Sequence, residues 1–214
     1  MLPFTPQQFL ALFVDYNEAI WPMQLGGYVL GGIAIALLFW QPPNADRLIS
    51  GAIALMWLWT GVVYHGVYFA TINNAAYLFA AMFMAQGVYL IYSGVLHHQV
   101  QFGFRTGLLT WTGAALVVYA AILYPLIGIM TGHAYAEMPV FGVTPCPVTI
   151  FTLGMLLLTT NAIPRSLLVI PFIWSLIGGS AAILLYVPQD WPLLVSGIIV
   201  SALVIAQSRA RQIA

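Results

Sequence analysis

The sequence predicts an all-α membrane protein, organised as one domain over residues 1–214. We expect an interfacial amphipathic helix in residues 1–21, seven transmembrane helices in residues 22–208, and a cytoplasmic tail at 209–214, with the N-terminus outside and the C-terminus inside. Three observations predict this fold: an apolar composition, a series of long apolar segments, and arginines that fall between alternate segments.

The composition is that of an integral membrane protein. Of the 214 residues, 62% are hydrophobic and 5% are charged, against roughly 45–50% and 25% in soluble domains. Five arginines, five acidic residues and no lysine cannot cover a soluble surface, which excludes cytosolic enzymes. A net charge of +0 provides no basic patch for nucleic acid. A single cysteine excludes an internal disulfide, thiolate zinc modules and iron–sulfur clusters.

The chain begins with an amphipathic helix. Thr5, Pro6 and Gln8 have the spacing of a capping box with proline at the first helical position. The two faces of this helix differ in polarity: Phe9, Phe13, Tyr16 and Ile20 form the apolar face, and Gln8, Ala11, Asp15 and Glu18 form the polar one. Because the polar face carries acids instead of Lys or Arg, we expect it to meet water, a cation or the protein's own outer mouth.

Seven apolar segments follow, separated by charged, Pro or Asn clusters. A helix that crosses the hydrocarbon layer needs about 20 apolar residues. The predicted spans are Met23–Trp40, Leu48–Ile72, Ala75–Leu96, Phe104–Ile129, Val148–Thr160, Ser166–Tyr186 and Pro192–Ser208. The fifth of these segments is too short to satisfy the length criterion alone.

The arginines predict the orientation, because short loops rich in Arg or Lys stay in the cytoplasm. With the N-terminus outside, all of them fall on the inner side: Arg47, Arg105, Arg165, Arg209 and Arg211. The opposite side then carries acids and no positive side chain. Removing the fifth segment would move three of the arginines outside, which favours keeping it as a span.

Chemically versatile side chains concentrate on the predicted outer side. These are His65, His133, Glu137, Cys146, Asp15 and Glu18, which together predict an outward-facing polar mouth. His65 is the most informative of them, because an ionisable residue within a span is costly and by default marks a functional site. The alternative for His65 is a neutral ring that is hydrogen-bonded to a neighbouring carbonyl.

Two of these residue groups suit a metal or a nucleophile. His133 and Glu137 are four residues apart, a spacing that fits metal ligation on one helical turn or simply a solvated loop. Cys146 is expected at the cap position before Pro147, where the positive helix end favours a thiolate, although the same run also suits a rigid loop-to-helix joint. A divalent metal could take His65, His133 and Cys146 as ligands.

Other cofactors fit less well. The absence of lysine excludes a retinal Schiff base. A three-histidine zinc site would need a third outer histidine, and a bis-histidine haem would need His133 on a helix instead of in a loop.

Glycine pairs such as Gly26-Gly27 and Gly178-Gly179 are typical of close helix packing, and they are compatible with a homo-oligomer or a larger complex.

Two runs of the sequence, Trp57–His65 and Met138–Thr152, resemble an uncharacterised family of bacterial multi-pass membrane proteins, classed as a domain of unknown function. The resemblance extends over nearly the full chain. It implies a location in the bacterial cell (inner) membrane and brings no activity with it.

The sequence therefore supports three hypotheses about function. The first is a membrane protein whose outer mouth binds or transports a small molecule or a cation, with the Thr-rich fifth span as a path. The second is a membrane-embedded metal-dependent hydrolase or Cys-centred enzyme. The third is a structural subunit of a larger membrane complex.

Overall fold

The computed structural model describes residues 3–132 and 134–213, with side chains described up to Ala206. This part of the chain is all-α, and its sole strand-like pairing is an isolated bridge between Phe102 and Thr159. The main helices are α1 (Pro6–Ala19), α2 (Met23–Trp40), α3 (Ala45–Thr71), α4 (Ala76–Leu96), α5 (Leu108–Met130), α6 (Pro145–Leu157), α7 (Arg165–Leu184) and α8 (Trp191–Ile213).

The predicted N-terminal helix and its capping box are confirmed. The Gln8 backbone N–H donates to Thr5 Oγ1 at 3.2 Å, and the Thr5 N–H donates to Gln8 Oε1 at 2.8 Å, which completes the capping box. Phe13 and Tyr16 are buried against the bundle, while Asp15 is exposed on the other face. The apolar stripe thus docks α1 on the protein and leaves its acids outside.

Within the described residues, six helices are long and apolar enough to cross a membrane by length and composition: α2, α3, α4, α5, α7 and Pro188–Ala206, which joins a short turn to the first part of α8. They match the predicted segments to within a few residues. Three of them contain a π-helical stretch, at Thr60–Tyr68, Ile91–Leu96 and Tyr119–Leu123. Such stretches interrupt the regular hydrogen-bond ladder and are frequent at functional sites.

The predicted fifth span has different bounds and an unexpected position. It runs from Pro145 to Leu157 instead of Val148–Thr160, and its 13 residues are all buried. At 1.5 Å per residue it is about 20 Å long. It packs against α3, α5, α7 and α8, so it forms the central core of the bundle.

Buried non-helical segments adjoin both ends of α6. At one end, residues 138–144 are buried, and the loop approaches α2 at Gly142, whose φ of +79° favours glycine. A Cβ on Gly142 would lie 2.6 Å from the Cα of Gly27. At the other end, Phe102 pairs with Thr159, and its backbone N–H donates to the Asp46 carboxylate at 2.7 Å.

A close backbone-to-backbone crossing in the core joins α5 to α6. A Cβ added at Gly113 would lie 2.8 Å from the Gly154 carbonyl oxygen, and one at Gly154 would lie 2.9 Å from the Gly113 carbonyl oxygen. The backbone at Gly113 or Gly154 cannot move away without distorting its own helix. The two glycines therefore set how closely α5 approaches the centre, as small residues do in membrane bundles.

Arg47 in the first turn of α3, Arg105 in the 97–107 loop and Arg165 at the start of α7 lie at one end of the bundle. Asp46 binds the backbone of the 97–107 loop, as described above, and Asn161 binds the same loop through Gln99 and Gln101. The opposite end is formed by α1 and the segment 134–144, which contact one another. The predicted grouping of these three arginines at one end is thus seen in the fold.

Candidate functional site

A cavity of about 240 Å³ lies at the end of the bundle that carries α1. It is bounded by α1, α3, α4, α7 and the first turn of α6. Seven of its lining residues are Phe, Tyr or Trp, among them Phe13, Phe69 and Trp174. The main polar groups in its wall are His65, Cys146 and Asp190, which we call the polar lining. The cavity is therefore an apolar, aromatic-rich chamber with a few polar groups, as is typical of small-molecule sites.

His65 belongs to the π-helical stretch of α3 and is completely buried, at 0% exposure. Five aromatic rings surround it, with centroids 4.7–5.9 Å from its own: Tyr64, Phe69, Phe79, Phe83 and Trp174. Neither of its ring nitrogens has a hydrogen-bond partner. The alternative of a histidine bonded to a nearby carbonyl is therefore wrong for this structure. A buried donor or acceptor without a partner costs about 1–3 kcal/mol, so this side chain calls for an explanation.

Cys146 lies in the first turn of α6. The helix begins at Pro145 after Thr144, so the predicted cap position for Cys146 is wrong by two residues. Both Pro145 and Pro147 fit in the first turn, because the backbone N–H groups there have no partner within the helix. The Cys146 side chain is buried at 8% exposure, and it lines the same cavity as Asp190 and Trp174.

Asp190 is buried and lines the same cavity. It ends the short turn Pro188–Asp190 and accepts a hydrogen bond from the hydroxyl of Tyr124, which is itself fully buried. The predicted site residues did not include Asp190 or Tyr124. One signal was available: Asp190 is an acid between two prolines in an otherwise apolar region.

The remaining predicted site residues lie elsewhere. Asp15 and Glu18 are exposed on α1, on the face turned away from the bundle, and they do not line the cavity. The Glu137 carboxylate accepts the backbone N–H of Ala134 at 3.0 Å and so closes its own turn. His133 lies outside the described residues. Of the six predicted residues, the structure brings His65 and Cys146 to one cavity, which Trp174 also lines.

A divalent metal site of the predicted kind needs three or more ligating side chains close together. Among the residues that the structure describes, no such group of His, Cys, Asp or Glu is placed to hold a metal ion. The predicted set of His65, His133 and Cys146 includes a residue outside that description.

Buried hydrogen bonds hold α1 over the cavity. Tyr16 donates its hydroxyl to the Val143 carbonyl at 2.5 Å and accepts the Trp59 indole N–H at 3.0 Å. Asn17 donates to the carbonyls of Ala136 and Met138, each at 2.9 Å. Burial raises the pKa of the Tyr16 hydroxyl above its usual value, so the group stays a donor at physiological pH. These bonds make α1 a fixed wall of the cavity.

Comparisons with known proteins place the chain in a family and add no activity. The curated proteins and the solved structures each gave no significant match. The model of one family, described as a family of unknown function (DUF6064), matches residues 6–214, which confirms the predicted resemblance. Because the match covers nearly the whole chain, this protein belongs to the DUF6064 family of unknown function.

Proposed function

We propose that this protein crosses the bacterial inner membrane seven times as a single domain, with its N-terminus outside and its C-terminus inside. Six membrane-length helices and the enclosed α6 support seven crossings, since short or irregular segments are tolerated at membrane depth when protein surrounds them. The position of Arg47, Arg105 and Arg165 at one end supports the orientation, because arginine is enriched in and beside short cytoplasmic loops.

Within this topology, we propose that the cavity binds a small molecule that has an apolar body and a hydrogen-bonding group. The observation that carries this proposal is His65, which lines the cavity with two buried nitrogens that lack partners. A ligand oxygen or nitrogen would satisfy them. Cys146 and Asp190 provide further polar contacts, and the aromatic walls suit the apolar body.

The other predicted site residues extend this proposal to the outer surface. Asp15, Glu18 and Glu137, together with His133, would form the mouth through which a small molecule or cation approaches. Neutralising Asp15 and Glu18 should leave the fold intact, because both side chains are exposed.

Binding is favoured over transport by the position of α6. Its 13 residues fill the centre of the bundle directly beyond the cavity, and its threonine hydroxyls are already engaged. Thr149 donates to the Pro145 carbonyl at 2.8 Å, and Thr152 donates to the Val148 carbonyl at 2.7 Å. The donor protons of these hydroxyls are thus used within the helix, which leaves fewer polar groups for a permeating solute.

The proposal can be tested by filling the cavity. Ala181 lines the cavity from α7, and Ala115 is exposed on the outer surface of α5, so Ala181→Trp and Ala115→Trp form a matched pair. Native mass spectrometry of the purified proteins should show 1-decanol, a simple amphipathic probe, bound to the wild type and to Ala115→Trp. Ala181→Trp should lose at least tenfold in affinity. Equal binding by both variants would overturn the proposal.

A further inference from the structure

The cavity reaches the outer surface of the bundle between α4 and α7. Three residues of α7 line the cavity and are also exposed: Ile177, Ser180 and Leu184. Leu184 is 62% exposed. Phe79 of α4 also lines the cavity, and it contacts Trp174 of α7 edge to face at 5.3 Å. Because α4 and α7 are both membrane-length helices, the surface between them faces lipid, and a molecule dissolved in the bilayer can reach the cavity from the side.

The walls of the cavity favour a planar ring. Aromatic residues from α1, α3, α4 and α7 surround the space, and their mutual contacts are both stacked and edge to face. Aromatic rings add a specific attraction for another ring beyond the burial of apolar surface. A volume of roughly 150 Å³ already accommodates benzene, so the cavity of about 240 Å³ has room for a substituted ring.

The polar lining favours oxygen substituents on that ring. A neutral imidazole has one donor nitrogen and one acceptor nitrogen, and both nitrogens of His65 are without partners. They can donate to a carbonyl oxygen or accept from a hydroxyl. Asp190 supplies a second polar group in the wall of the same cavity.

We propose that the cavity binds a membrane-dissolved lipid whose head is a planar ring bearing carbonyl or hydroxyl oxygens, the chemistry of quinones and quinols. The ring lies among the aromatic side chains with an oxygen on His65, and the tail leaves between α4 and α7. This inference rests on the proposed function and names the ligand class of the same cavity.

The test compares two probes that share a ten-carbon tail. Decylubiquinone carries the oxygenated ring, and 1-decanol carries a hydroxyl alone. Their affinities for the full-length protein can be measured from the shift of thermal unfolding with ligand mole fraction in the detergent micelle. We expect decylubiquinone to bind at least tenfold more tightly than 1-decanol.

A substitution of the histidine then tests its role. His65→Phe keeps an aromatic ring in the cluster and removes both nitrogens, so the variant should fold. It should weaken decylubiquinone binding at least tenfold relative to the wild type. Ala115→Trp, on the outer surface of α5, should change neither affinity.

The possible results separate this inference from the proposed function. If 1-decanol binds as tightly as decylubiquinone, the ring assignment is overturned while the small-molecule site stands. If decylubiquinone binds tightly but His65→Phe has no effect, the assignment of His65 as its partner is overturned. If neither probe binds, the inference and the proposed function both fail.

Discussion

The indole N–H of Trp57 donates to Thr152 Oγ1 at 2.8 Å, and this bond joins α3 to the centre of α6. Both side chains are completely buried. The Thr152 hydroxyl in turn donates to the Val148 carbonyl at 2.7 Å, so its donor and its acceptor are both used. Leaving a buried indole N–H without such a partner costs free energy.

Removing the Thr152 hydroxyl should destabilise the protein. Thr152→Val leaves Trp57 without an acceptor, and we expect the free energy of unfolding to fall by about 1–2 kcal/mol. Thr149→Val is a matched control: Thr149 is also fully buried in α6, but its hydroxyl bonds only to the Pro145 carbonyl of its own helix. The free energy of unfolding of Thr149→Val should differ from that of the wild type by no more than about 0.5 kcal/mol. The measurement is unfolding in mixed micelles of increasing denaturing detergent, and equal losses would contradict the prediction.

The crossing of α5 and α6 predicts a second effect on stability. In Gly154→Ala, the added methyl group would meet the Gly113 carbonyl and the Val117 backbone nitrogen at 2.9 and 3.0 Å. We expect a loss of about 1–3 kcal/mol, since overpacking forces the backbone to move. Gly32→Ala on α2 meets no atom within 4 Å and should be neutral, or stabilising by up to about 1 kcal/mol. A Gly154→Ala protein as stable as Gly32→Ala would show that the two helices have room to separate.

Substituting His65 should stabilise the ligand-free protein. His65→Phe removes two buried nitrogens that have no partners from a cluster of aromatic rings, so the ligand-free protein should become more stable by about 1–3 kcal/mol. His97→Phe is the control, because His97 is exposed and its Nδ1 lies 2.8 Å from the Tyr92 carbonyl oxygen. Thermal unfolding of protein stripped of bound lipid measures both. A less stable His65→Phe protein would mean that the native histidine has a partner that the fold alone does not supply.

The proposed orientation can be tested by cysteine labelling. Cys146 is the only cysteine and is buried, so a membrane-impermeant maleimide should leave the native protein unlabelled. Glu18→Cys and Thr106→Cys place exposed thiols at opposite ends of the bundle. In right-side-out membranes, Glu18→Cys should be labelled at once, and Thr106→Cys only after the inner face is opened. The reverse pattern would invert the topology.

Alkaline pH should weaken the contact between α1 and the bundle. Burial raises the pKa of Tyr16 in the folded protein, whereas in the unfolded chain it is about 10. Its contribution to stability is complete below about pH 10, and it falls as pH rises further, because the unfolded state then releases its proton first. The free energy of unfolding of Tyr16→Phe should therefore depend less steeply on pH above 10 than that of Tyr186→Phe, whose tyrosine is exposed. Parallel pH profiles would exclude this contribution.

Local patterns in the sequence were sufficient for much of the fold. The capping box at Thr5, the buried face of α1 and the positions of six membrane-length helices all follow from spacing and composition, and each agrees with the structure. These features depend on residues a few positions apart. Their physical cause lies in the local backbone and in the length of an apolar run.

The site depended on contacts that such patterns do not encode. Apolar runs predicted both α2 and α6, yet α2 exposes Val29 and Ile33 while α6 is buried throughout. Hydropathy does not distinguish a helix surrounded by lipid from one surrounded by protein. The pairing of Tyr124 with Asp190 joins positions 66 residues apart, and the aromatic residues of the cavity come from four helices. Asp15 and Glu18 were predicted on the same side of the membrane as His65 and Cys146. They do not reach the cavity, because α1 packs on the bundle through the face that carries Tyr16 and leaves these acids exposed.

The central position of Pro145–Leu157 also has a consequence for the order of synthesis. The ribosome completes α3 and α5 before it makes α6, and their contact faces at Trp57 and Gly113 have no partner until that segment emerges. Until α6 emerges, the half-made protein therefore exposes unfilled contact faces on α3 and α5, and intermediates with such incomplete packing are prone to misassembly. Substitutions that delay the insertion of α6 should reduce the amount of protein in the cell even when the finished fold tolerates them.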